Sequence, residues 1–180
     1  MALPVFGITF LWNYLSLALP FFVFVFVTKP KSLPQGKGST FYGLSAQSDD
    51  GVDIRVDITT VGVSGGYITI DGDADNQSVL DTFNSIDFTD GRTLKSNSML
   101  TLEATTGKIT LLGTLSLLAK SGIEIHNSME QQLSQKRLII NADSDGSGDG
   151  TFTTSGGTMI YSKNSDVTVT AWDIDLEGIL

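Results

Sequence analysis

The chain has 180 residues, no cysteine, 11 basic and 20 acidic side chains, and a net charge of −9. Without cysteine no disulfide staples the fold, and no thiolate serves as nucleophile or metal ligand. Every acidic residue lies after Leu44, whereas Lys29, Lys31 and Lys37 lie before it; so acidic a domain repels nucleic acid and anionic lipid heads and suits basic partners, divalent cations or plain solubility.

Met1 to Thr28 carries no side chain charged at neutral pH. Gly7 to Val27 is apolar and Phe-rich, and as a helix it is long enough to cross a hydrocarbon core of about 30 Å. Trp12 and Tyr14 add amphipathic rings, and a kink at Pro20 is tolerable in a membrane helix. Residues 1–28 therefore read as a single transmembrane or signal-anchor segment, with membrane contact through residues 7–27. An export signal and a misassigned gene start are the other readings. No basic residue precedes the apolar run and no small-residue cleavage site follows Val27, which disfavours a cleaved signal. Lys29, Lys31 and Lys37 would hold the following domain in the cytoplasm, but long domains translocate regardless of such charges. Residues 29–50 read as a linker, broken by Pro30, Pro34, Gly36 and Gly38.

Residues 51–180 read as short strands cut by polar turns. Val52 to Thr60 alternates, with Val52, Ile54, Val56 and Ile58 on one face, and is expected to be one half-buried strand opening the domain. Tyr67–Ile70, Ile86–Phe88, Thr93–Lys95, Leu100–Ala104, Ile109–Leu112, Leu115–Ala119 and Ile123–Ile125 follow as strands. Ser128 to Gln135 alone has helix-forming residues and is expected to be a loop or one helical turn leaving the wall. Leu138–Ile140, Thr151–Thr153, Met159–Tyr161 and Val167–Trp172 complete the series, with Ile174 and Leu176 turned inward. The last strand leaves an open edge, which implies edge-to-edge association there or the continuation of a longer repeat protein.

The segments echo one another. Ile68–Asp75 resembles Leu138–Asp145, Phe88-Thr89 resembles Phe152-Thr153, and Ser98–Ala104 resembles Ser165–Ala171. Strands this short bury too little alone and must stack on copies of themselves, which implies a β-solenoid of about 20 residues per coil, or six to seven coils.

The run from Ile140 to Thr153, with Ser165 to Gly178, resembles the repeats of filamentous haemagglutinin and other large surface adhesins. The resemblance covers roughly residues 52–180 and is strongest over 66–126 and 137–178. It implies a right-handed parallel β-helix exported to the cell surface, and it brings no catalytic residues with it.

Two acidic loops carry the most suggestive chemistry. Asp143, Asp145 and Asp149 sit on a Gly-rich turn, and Asp71, Asp73 and Asp75 on a similar one. Carboxylates and glycine-exposed carbonyls can converge on Ca²⁺, which takes six to eight oxygens. The same residues are those of ordinary tight turns, and neither loop follows the EF-hand pattern. No other cofactor is expected. Asp173, Asp175 and Glu177 share one face of the last strand and could serve glycoside chemistry, but no basic residue lies nearby in sequence. His126 is the one histidine, which makes a transition-metal site improbable. No G-x-S-x-G elbow, phosphate-binding loop or basic aromatic patch is present.

The expectation is thus an all-β, right-handed parallel β-helix behind one transmembrane helix, with the solenoid on the extracytoplasmic side. Its expected role is non-enzymatic, adhesin-like or structural, toward a protein or glycan partner and not toward nucleic acid. An accessory subunit of a larger membrane complex and a polysaccharide-active β-helix enzyme are the alternatives.

Overall fold

The computed structural model describes residues 23–26, 38–78 and 83–178. Of the expected membrane segment only Val23–Phe26 falls among them, and there the chain is a strand paired with Leu44–Gln47 rather than a helix; the rest of the transmembrane expectation lies outside the described residues. Among the described residues no helix is long and apolar enough to cross a membrane.

The strands run β1 (Val23–Phe26), β2 (Ser39–Phe41), β3 (Leu44–Gln47), β4 (Val52–Ile54), β5 (Ile58–Thr60) and β6 (Ile68–Asp71). They continue as β7 (Ser85–Phe88), β8 (Arg92–Ser96), β9 (Met99–Glu103), β10 (Lys108–Leu111), β11 (Leu115–Ala119) and β12 (Gly122–Ile125). The last are β13 (Met129–Gln131), β14 (Leu138–Asn141), β15 (Thr151–Thr154), β16 (Ile160–Tyr161), β17 (Val167–Thr170) and β18 (Asp173–Leu176). Three parallel sheets result. The first stacks β1-β3-β6-β9-β12-β15-β18, the second β4-β7-β10-β13-β16, and the third β2-β5-β8-β11-β14-β17. The chain visits first, second and third sheet in turn, so each circuit adds one rung to each: a parallel β-solenoid.

Register turns the period-two pattern into continuous ladders. Leu44, Ile68, Leu100, Ile123 and Phe152 lie in line along the first sheet, all buried. Val52, Ile86, Ile109, Met129 and Ile160 do the same on the second. Ser45, Thr69, Thr101, Glu124, Thr153 and Asp175 line the outer face of the first sheet. Alternate residues must face opposite sides of a strand, so one inward apolar set dictates one outward polar set.

The structure corrects four readings. Val52 to Thr60 is two strands, β4 and β5, with a bend between them. Val52, Ile54, Val56 and Ile58 are all buried, so the alternation holds around the corner while the strand does not. Ser128 to Gln135 makes no helical turn: Met129 fills the second-sheet ladder as part of β13, and the Gln131 amide donates to the Gly113 carbonyl at 2.9 Å. The core claims Met129, and burial overrides helix propensity. The third correction concerns the echoes, which do not mark coils. β6 lies in the first sheet and its echo β14 in the third; β9 lies in the first and its echo β17 in the third. The echo spans eight strands, and eight is not a multiple of three. What recurs is a strand with its turn.

Lastly, the coils are longer than expected. Leu44, Ile68, Leu100, Ile123, Phe152 and Ile174 are successive partners, spaced by 24, 32, 23, 29 and 22 residues. Five complete three-strand coils are described. The extra residues of the two longest coils sit in the segments after β6 and β14, the same two that carry the acidic loops.

At the C-terminal rung the inward positions lose their cover. Ile174 and Leu176 stack on Phe152 and Thr154 but are 49% and 40% exposed. The outer edges of β16, β17 and β18 have no strand partner among the described residues.

Candidate cation sites

The loop Asp143–Gly150 leaves the third sheet after β14 and returns to the first at β15. Gly146 and Gly148 take φ of +68° and +82°, a region costly for any residue with a Cβ. These two reversals fold the loop back on itself. Asp143, Asp145 and Asp149 bring carboxylate oxygens within 4.8 Å of one another. The Ser147 hydroxyl sits among them, 3.3 Å from Asp143 Oδ1, 2.9 Å from Asp145 Oδ1 and 2.7 Å from Asp149 Oδ1. Gly148 N donates to the Asp143 carboxylate at 3.2 Å. Asp145 and Asp149 are exposed, so water screens their mutual repulsion. The arrangement can receive a hard cation, and it is equally complete as a turn.

The second predicted loop does not converge. Among the described residues the Asp143 trio is the one set of three acidic groups that closes to this degree. Asp71 Oδ1 accepts the backbone N–H of Asp73 at 3.0 Å, and Asp75 Oδ1 that of Gln77 at 3.0 Å. Both are turns in which the side chain caps the backbone two residues on. Asp73 instead turns into the corner between the first and second sheets and is 0% exposed. Its Oδ2 accepts the N–H of Thr106, one coil later, at 2.5 Å. The D-x-D-x-D spacing splits because each carboxylate finds a different backbone donor.

Asp71 stands beside Glu103 in register on the first sheet. Burial holds its carboxyl above the ordinary carboxylate range; the N–H of Asp73 pulls it down, and the charges of Glu103 and Asp73 push it up again. No ion pair within 4.0 Å relieves Asp71, Asp73 or Glu103 among the described residues.

Other chemistry is sparse. His126 sits at the corner after β12, with Nδ1 2.8 Å from Ser155 Oγ and Nε2 3.5 Å from Glu124 Oε2. The three residues come together because Ile125 is in register with Thr154, which places the following corners side by side. His126 and Glu124 are both more than a third exposed, and the two grooves described, one around Asp50 and one around Asp87, lie elsewhere. A nucleophile and base without an enclosing cleft gain little from preorganised electrostatics. Asp173, Asp175 and Glu177 follow the outward positions of β18, and among the described residues no facing wall holds a sugar between carboxylates. The second groove, of about 560 Å³, is lined by Phe83, Asp87, Thr106, Lys108, Thr110 and Leu112 among others.

Comparison with protein-family models, curated proteins and solved structures finds no match to this chain.

Proposed function

We propose that the chain is a non-enzymatic, membrane-anchored, right-handed parallel β-helix with an adhesin-like or structural role on the extracytoplasmic side. The observation that carries this reading is the unbroken outward ladder Ser45, Thr69, Thr101, Glu124, Thr153 and Asp175. Such a row presents hydroxyl and carboxylate groups about 4.8 Å apart, a repeat suited to an extended glycan or peptide. The open groove beside Phe83 and Asp87 adds an exposed aromatic ring next to a carboxylate. Right-handed winding follows the strong preference of parallel crossovers, and the membrane anchor follows the apolar run at residues 7–27.

One observation favours a second reading, an accessory subunit of a larger membrane complex. The C-terminal rung leaves Ile174 and Leu176 uncovered beside Trp172, and an exposed apolar patch of this kind marks an interaction surface. Edge pairing by β18 would cover it.

The test uses the full chain in mild detergent on arrays of glycans and of surface-protein fragments, beside a protease treatment of intact cells. The reading expects binding that Thr69→Lys with Thr101→Lys abolishes, no turnover of polysaccharide, and loss of the band on protease treatment. Hydrolase or lyase turnover on a polysaccharide would overturn it, and co-purification with one defined membrane complex would replace it with the second reading.

A further inference from the structure

We infer that the corner between the first and second sheets holds a buried Ca²⁺ site built on Asp73 and Asn84, distinct from the exposed Asp143 loop. Asp73 is 0% exposed, and its Oδ1 has no hydrogen-bond partner. Asn84 is 8% exposed, and its Oδ1 is likewise without a partner. Both side chains are fixed by one residue of the next coil. Thr106 N donates to Asp73 Oδ2 at 2.5 Å, and Asn84 Nδ2 donates to Thr106 Oγ1 at 2.6 Å and to the Gln77 carbonyl at 2.7 Å. The amide donors are therefore spent on protein acceptors, and what each side chain has left is an oxygen.

Backbone packing holds the place rigid. A Cβ on Gly107 would stand 1.3 Å from the Asn84 carbonyl oxygen, and one on Gly72 would stand 2.5 Å from that of Ser85. Three stretches of chain thus meet backbone to backbone at this corner. A water could satisfy the two free oxygens, but it would leave the charge. A buried carboxylate without a counter-ion is strongly disfavoured, and the neighbouring acids Asp71 and Glu103 deepen the negative potential. A hard cation answers both needs, with amide and carboxylate oxygens of the kind Ca²⁺ takes and water or carbonyl groups completing the shell.

The experiment is thermal unfolding of the full chain in mild detergent, with Ca²⁺ or with chelator, for the parent and for Asp73→Asn, Asn84→Asp and Asp145→Asn. Calcium should raise the parent midpoint by about 5 °C or more at saturating concentration. Asp73→Asn keeps the shape and an acceptor for Thr106 N, so it should fold and lose the calcium shift. Asn84→Asp should lower the midpoint in chelator and enlarge the shift. Asp145→Asn should keep the parent response. No calcium shift in the parent would overturn the proposal and leave water as the occupant. A shift that survives Asp73→Asn but disappears in Asp145→Asn would overturn it in favour of the exposed loop. Should Asp73→Asn fail to fold, an unchanged or smaller shift in Asn84→Asp would overturn it as well.

Discussion

Leu100→Ala and Ile174→Ala form a pair that separates an enclosed rung from an open one. Leu100 is 0% exposed and lies in line between Ile68 and Ile123. Truncation removes three carbons from contact, about 2.4 kcal/mol at roughly 0.8 per methylene. The rungs on either side are hydrogen-bonded at fixed spacing and cannot close the gap, so a cavity term brings the cost to about 3–5 kcal/mol. Ile174 lies on the same ladder but is 49% exposed. About half of its transfer energy is at stake, and no enclosed cavity forms, so its truncation should cost about 1 kcal/mol. Urea unfolding of the full chain, followed by far-ultraviolet circular dichroism, gives both values from midpoints if the slopes match the parent. Equal costs for the two variants would refute the reasoning, because they would mean that the last rung is as enclosed as the third.

Two further outcomes follow from the corners. Gly107→Ala should cost about 3 kcal/mol, the upper end for overpacking, since its Cβ would collide with the Asn84 backbone. Gly91→Ala, at φ +75° with open space around it, should cost only the left-handed strain of about 1–2 kcal/mol; the same urea titration ranks the two, and a reversed order would count against the packing described. Asp71→Asn concerns pH. The folded carboxyl sits above its ordinary value of 3.8, so the native state binds more protons than the unfolded chain between the two values, and stability falls as pH rises through that window. Asparagine removes the charge and keeps an acceptor for the N–H of Asp73. In chelator the variant should therefore be more stable than the parent at neutral pH and equal to it in strong acid; a less stable variant at neutral pH would contradict the burial argument.

Much of the solenoid was legible because the inward ladder is a local pattern. Ile68, Ile70, Leu100, Leu102, Ile123 and Ile125 alternate with polar residues, and each is buried where that alternation puts it. Corners were not legible as corners: Val56 keeps the alternation of Val52 and Ile58 while the chain bends around it. The echoes misled for a related reason. A strand with its turn looks alike on any of the three sheets, so similarity reports the strand unit and not the coil. The two acidic loops were found by composition alone, and composition could not say that Asp73 turns inward while Asp145 stays outside. The Asp73 and Asn84 pair was missed. The two lie eleven positions apart, and they share a corner only because Thr106 arrives one coil later and Gly107 permits the approach. Gly72 and Gly107 were the sequence signal available, since a glycine at a corner often marks backbone meeting backbone.

The most direct test of the account is the distance between two sites on one ladder, measured by pulsed electron paramagnetic resonance. The chain has no cysteine, so Ser45→Cys with Thr153→Cys gives a clean pair of spin-label sites. These positions are 108 residues apart in sequence and four rungs apart on the first sheet, through Thr69, Thr101 and Glu124. Four rungs at about 4.8 Å place their backbones about 19 Å apart. Stacked coils give a narrow distribution near that value, widened only by the label arms. A broad distribution, or one centred beyond about twice that distance, would contradict the stacked parallel coils on which the reading of ladders, corners and sites rests.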